Sequence, residues 1–268
     1  MPEITANDVS LHYTDSGGDG RPVVLIHGWP LSGASWSEQV PALTDAGYRV
    51  ITYDRRGFGD SEKPEGGYDY DTLTADLAGL LDGLDLTDAS LVGFSMGGGE
   101  VARYVGRHGT GRLHSVVFAA AVPPYLLKTD DNPDGGLEES GLQEMEEGAR
   151  TDRANFLDGF TTAVFTAGDK LKVTEEQRQQ AIALQQPARE EAVVGRIGAF
   201  GRTDFREDLP RSTSRPCPVE LRRYSASIVH LTTPSAFVLS GGLPRSGLLR
   251  GRGPGTTTRA IRRVGFTA

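Results

Sequence analysis

The sequence predicts an α/β fold: a mostly parallel sheet with helices on both faces and a helical cap. Two observations carry that expectation. Short apolar runs alternate with stretches of helical spacing over residues 1–122. From Pro123 to about Phe200 the rhythm changes to acidic, strand-free segments of helical character.

Val9 to Tyr13 alternates apolar and polar residues behind the turn pair Asn7-Asp8, which predicts an N-terminal β-hairpin. Pro22 to Ile26 (PVVLI) is a continuous apolar run, as a strand covered on both faces requires. Tyr48 to Tyr53, Ala89 to Phe94 and Leu113 to Val122 read as further strands. Between them, Ser37 to Ala46, Thr72 to Leu84 and Gly97 to His108 read as helices; the second carries Leu73, Leu77, Leu80, Leu81 and Leu84 on one face. In the cap, Glu138 to Arg150 and Thr174 to Arg196 are expected as two helices, the latter opened by a Thr174–Gln177 capping box. The expected organisation is a first half of the core over 1–122, a helical cap over 123–200 and a return to the core over 201–209. Residues 210–268 form an atypical tail.

At 268 residues the chain can bury a sizeable core, and 37% hydrophobic with 24% charged residues places it among globular rather than disordered proteins. The longest apolar run, Val116 to Val122, has seven residues, whereas a membrane span needs about 20. No signal-peptide pattern follows Met1-Pro2-Glu3, so a cytoplasmic location and no membrane partner are expected. Cys217 is the only cysteine, which excludes an internal disulfide and a CxxC metal site. A net charge of −8 argues against a nucleic-acid partner.

The chemistry-bearing segment is Gly93-Phe94-Ser95-Met96-Gly97, a G-x-S-x-G pattern. Alone it is weak, and its bland alternative is a glycine-rich turn with an ordinary serine. Here a strand runs directly in and a helix directly out, the context that a nucleophile elbow needs. Such an elbow is sharp, so side chains at Gly93 and Gly97 would collide with neighbouring backbone. His27-Gly28-Trp29-Pro30 follows the strand Pro22 to Ile26, and a turn there supplies a second oxyanion donor. The expected donors are the backbone N–H groups of Trp29 and Met96, and His27 is expected to be a hydrogen-bonded structural residue. Gly57-Phe58-Gly59 lacks the third glycine of a dinucleotide loop, Glu62 standing in its place. Asp54 and Arg55 of that segment are expected to tie loops together near the site.

HGWP, TYDRRGFGDS and LVGFSMGGGEVARYVGRHG together resemble the α/β-hydrolases of the non-haem chloroperoxidase group, bacterial perhydrolase-esterases, from about Glu3 to Leu209. The resemblance implies an α/β-hydrolase fold, Ser95 as nucleophile and an acyl-enzyme formed from a small ester or carboxylic acid. Water or hydrogen peroxide would then release it. It implies no cofactor, neither haem nor metal.

The tail departs from that pattern. Residues 209–268 hold ten arginines and one acid, Glu220, a net +9 that leaves −17 on residues 1–208. The resemblance places a triad acid about 130 residues after Ser95 and a histidine about 30 beyond, where Ser225 and Pro254 stand. Three readings compete: a basic nucleic-acid arm, a disordered linker and a shifted reading frame. Arg, Pro, Gly and Ser all have GC-rich codons, which favours the last, whereas an arm would include Lys and cluster charges that are here spread evenly. Leu209 to Pro218 can be back-translated so that reading two bases later gives AEVDVPTLS, close to what the family carries there.

Without its base a serine hydroxyl is a poor nucleophile. The expectation is therefore a serine esterase or perhydrolase scaffold with impaired activity, its triad acid and histidine not found. Glu100, His108 and His114 do not qualify as substitutes, since they lie on or past the helix leading away from Ser95. The alternative is a non-catalytic small-molecule-binding protein of the same fold. RNA binding through the tail is disfavoured, because the −17 body would repel that partner. The last strands and helices of the sheet are expected to be missing or disordered, leaving Val116 to Val122 as an open edge prone to aggregate. Oligomeric state is not legible.

Overall fold

The structure is a computed structural model that describes residues 2–209 and 219–222. Its main sheet has seven strands in the order β1 (Glu3–Ala6), β2 (Val9–Asp15), β4 (Arg49–Tyr53), β3 (Pro22–Ile26), β5 (Ala89–Phe94), β6 (Leu113–Ala119) and β9 (Val219–Arg222). The first three of these pair antiparallel and the rest parallel. The hairpin turn at Asn7 and Asp8 has φ of 48° and 59°, the left-handed pair that matches strand twist.

Successive residues of β3 feed opposite faces, because side chains alternate along a strand. Val24 and Ile26 join the large core under α2 (Tyr70–Gly83) and α3 (Met96–His108), with Leu73, Leu77, Leu91, Val101 and Val116. Val23 and Leu25 face the other way, onto a smaller cluster with Val50, Val40 and Leu43, where α1 (Gln39–Asp45) lies. Helix α2 starts at Tyr70 rather than Thr72, since the Asp69 carboxylate accepts from the Thr72 N–H at 2.8 Å and caps it.

The last predicted strand, the sheet edge and the second cap helix need correction. The strand predicted over Leu113 to Val122 ends at Ala119: Ala120 takes a positive φ of 45°, and the Val122 N–H turns to the Ser95 carbonyl at 3.1 Å. That strand is not an open edge, because β9 pairs with it from Val116↔Val219 to Ala119↔Arg222. The helix predicted over Thr174 to Arg196 is two helices, α6 (Glu175–Gln185) and α7 (Glu190–Arg202), broken at Pro187, whose ring blocks helical continuation.

The Thr174–Gln177 capping box forms as expected. The rest of the cap comprises α4 (Glu139–Thr151), α5 (Arg153–Val164) and a two-stranded ladder, β7 (Thr166–Ala167) with β8 (Lys170–Leu171). That ladder interrupts a segment the sequence reads as strand-free. No helix among the described residues is long and apolar enough to cross a membrane.

Asp15 at the end of β2 pairs bidentately with Arg49 of β4, at 2.6 Å for Nη2 to Oδ2. The guanidinium holds the Asp15 carboxyl below its usual range. Its contribution is present above the unfolded carboxylate pKa of about 3.9 and is lost as pH falls through the lower folded value. Urea titrations should therefore show Asp15→Asn less stable at pH 7, with the gap to the parent closing below about pH 4.

Candidate active site

The sheet order reverses direction between β3 and β5: the chain moves from β3 outward to β4, then crosses back to β5, β6 and β9. The carboxyl ends of β3 and β5 therefore open a crevice between connections that depart in opposite directions. Both segments singled out from sequence sit there. Ser95 follows β5, and His27-Gly28-Trp29 follows β3.

Ser95 stands between strand and helix with φ 52° and ψ −118°, a left-handed conformation that costs about 1–3 kcal/mol for a non-glycine residue. The surroundings over-determine it. Its N–H donates to Ala119 O at 3.0 Å, and its carbonyl accepts from Gly98 N at 3.0 Å and Val122 N at 3.1 Å. A Cβ on Gly97 would lie 2.6 Å from Ile26 O, and one on Gly93 would run into the Gly97 carbonyl. The first turn of α3 is thus pressed onto the end of β3, bringing the two candidate donor segments together. A Cβ on Gly28 would stand 3.3 Å from Ser95 Cβ, so that loop lies directly against the serine. Tyr70 of α2 donates to Met96 O at 3.0 Å and fixes the residue after the serine.

Trp29 is held by its ring. Its indole N–H donates to Val193 O of α7 at 3.0 Å, and the ring packs among Phe156, Phe160 and Phe200 of the cap. His27 is buried; its Nδ1 lies 2.9 Å from Gly28 O and its Nε2 accepts from the Arg55 N–H at 3.3 Å. Burial, with the Arg55 charge beside it, holds the imidazole well below its usual pKa.

Asp54 ties loops as expected. One carboxylate oxygen accepts from Gly33 N at 2.7 Å, the other from Asp60 N at 2.8 Å. His12, Asp54 and Asp60 bring potential ligand atoms within 4.8 Å, a grouping that linear spacing does not reveal. The backbone N–H groups and His12 Nδ1 at 3.1 Å already occupy the Asp54 carboxylate, which marks it as a loop clamp.

The sequence reading missed a charged network beneath the elbow. Glu100 of α3 is fully buried, accepts from Tyr53 OH, and lies 3.4 Å from Arg55 Nε. Burial pushes its carboxyl up while Arg55 opposes the shift. Arg196 of α7 is equally buried; it donates to Tyr68 O at 2.8 Å and lies over the Tyr68 ring, with burial lowering its pKa to about 9. A signal for Glu100 existed: it falls on the same α3 face as Met96, Gly97, Val101 and Tyr104, all buried.

His108 and His114 lie away from Ser95 along the fold. His108 ends α3, about 18 Å along the helix, and stacks on Tyr104. His114 lies at the opposite end of the parallel strands, 3.2 Å from Asp88. His230 and the tail reading lie outside the described residues, as do Ser225 and Pro254.

A family model described as alpha/beta hydrolase fold matches residues 21–203. The chain is 47% identical over 215 residues to a non-heme chloroperoxidase of Kitasatospora aureofaciens, covering 79% of this chain and 77% of that one. It is 34% identical over 215 residues to a bifunctional esterase/perhydrolase of Acinetobacter calcoaceticus, covering 79% and 78%. Among solved structures, a bromoperoxidase from Bacillus anthracis superposes with a TM-score of 0.78 at 48% identity, covering 82% of this chain and 80% of that one.

Proposed function

The chain belongs to the α/β-hydrolase fold family, and from that premise we propose that it carries the acyl-transfer site of a serine esterase or perhydrolase with its proton acceptor lost. The substrate would be a small ester or carboxylic acid. Ser95 Oγ attacks the carbonyl carbon, and the N–H groups of Trp29 and Met96 receive the oxyanion. The alcohol leaves from an ester, or water from an acid, and water or hydrogen peroxide then attacks the acyl-serine. The observation that supports this reading best is the strained Ser95 between β5 and α3, with Gly28 packed against it at the switch point of the sheet.

Each step of that chemistry moves a proton, and the hydroxyl needs a base to surrender its own. His12 and His27 are committed to Asp54 and to the Gly28 and Arg55 backbone, and the Glu100 carboxylate is committed to Tyr53 and Arg55. Beyond Asp208 the sequence offers one acid, Glu220, and one histidine, His230. The similarity to these relatives leaves about a fifth of each chain unmatched, and the family model ends at residue 203. On this reading a shifted frame near Leu209 replaces the segment that would carry the acid and the histidine.

A fluorophosphonate probe should label Ser95 in this chain hardly at all over hours, while a chain with the frame restored labels within minutes. Rapid labelling of the unaltered chain, abolished by Ser95→Ala, would overturn the proposed loss. Saturable binding of a small ester without turnover in both chains would instead establish the non-catalytic reading.

A further inference from the structure

We infer that His27 is a positioning residue: as an imidazole carrying its proton on Nδ1, it sets the orientation of the peptide that presents the Trp29 N–H to the oxyanion. This rests on the site proposed above and adds a device to it.

The Arg55 N–H points at His27 Nε2 at 3.3 Å, and a backbone N–H only donates, so Nε2 is the acceptor. The ring proton therefore sits on Nδ1, which faces Gly28 O at 2.9 Å and donates to it. The Leu31 N–H donates to the same oxygen at 3.0 Å. Gly28 O and the Trp29 N–H belong to one planar trans peptide, in which C=O and N–H point in opposite directions. Two donors drawing the oxygen to one side aim the Trp29 N–H to the other. The Gly28 backbone that carries this peptide lies against Ser95.

The arrangement is anchored to the elbow itself. Arg55, whose N–H sets the His27 tautomer, pairs through its guanidinium with Glu100 of α3, the helix that Ser95 caps and that begins with Met96. One connected set of contacts thus spans both proposed oxyanion donors. The ring stays neutral because a second proton on Nε2 would oppose the Arg55 N–H. The charges facing it are those of Arg55 and Arg196, and the Phe58 ring closes its edge at 5.9 Å between centroids.

The test begins with the tautomer, read on the full-length chain with ¹⁵N-labelled histidine by long-range proton–nitrogen correlation between pH 5.5 and 8. His27 is assigned by the signal lost in His27→Asn. The expected result is one ring in the Nδ1–H form that does not titrate. A ring in the Nε2–H form, or one titrating near its ordinary value of about 6.5, would sink the inference.

The second measurement is the rate at which the fluorophosphonate phosphonylates Ser95, slow as it is. Misplacing one oxyanion donor should slow it about tenfold to a hundredfold in His27→Leu. His27→Asn, whose amide N–H can take the place of Nδ1–H, should recover a large part of that loss. An unchanged rate in His27→Leu overturns the proposal. Should the chain with the frame restored also fail to react, the nucleophile reading fails, while the tautomer of the unaltered chain still decides this one.

Discussion

Shifting the reading frame by two bases at Leu209 is expected to raise hydrolysis of a simple p-nitrophenyl ester by about 10⁶ in turnover. That is the scale of loss when the base is removed from a serine triad. What remains without the base is the contribution of binding and the oxyanion donors, so the unaltered chain should sit a few orders of magnitude above the buffer rate. Ser95→Ala in the restored chain should return it to that residual level. A restored chain no faster than the parent would mean that the tail is not what silences Ser95. The comparison uses one body and two tails, so differences within residues 1–208 do not enter.

The largest stability effect is expected at Glu100→Ala. The Arg55 side chain is 1% exposed and Glu100 is its only ion-pair partner among the described residues, with Tyr53 OH bonded to the same carboxylate. Removing that carboxylate strands a buried guanidinium and a buried phenol together, the situation in which breaking a pair costs about 3–5 kcal/mol. The urea midpoint should fall accordingly with the slope unchanged. Glu100→Gln keeps an acceptor for Tyr53 and should lose less. A midpoint shift worth under about 1 kcal/mol in Glu100→Ala would show that Arg55 finds another partner.

The parts of the fold legible in sequence were those governed by local rules. Parallel strands covered on both faces read as near-continuous apolar runs, so Pro22 to Ile26 was read with its observed ends, as was Ala89 to Phe94 despite Ser90. The tight strand-to-helix turn at Ser95 was legible because its geometry leaves no room for a side chain at positions 93 and 97. Pro187 was a local signal too, and reading one helix from Thr174 to Arg196 let helical spacing override a ring that stops a helix. Other misses were non-local. Nothing near Val219 announces a strand, since its pairing depends on a neighbour a hundred residues earlier, Val116. Glu100 takes Tyr53 and Arg55 as partners, and Arg196 takes Tyr68, all from elements distant in sequence. The His12–Asp54 contact likewise joins β2 to the loop after β4.

Trp29 belongs to two structures at once. Its ring is fastened to the roof at Val193 and wedged among Phe156, Phe160 and Phe200, while its own amide is the one proposed to meet the developing negative charge. Remodelling those aromatic walls to admit a different acyl group would therefore also disturb the floor. On the proposed chemistry, selectivity and speed in this scaffold are not separately adjustable: a variant chosen for a new substrate carries its change in rate through a single indole.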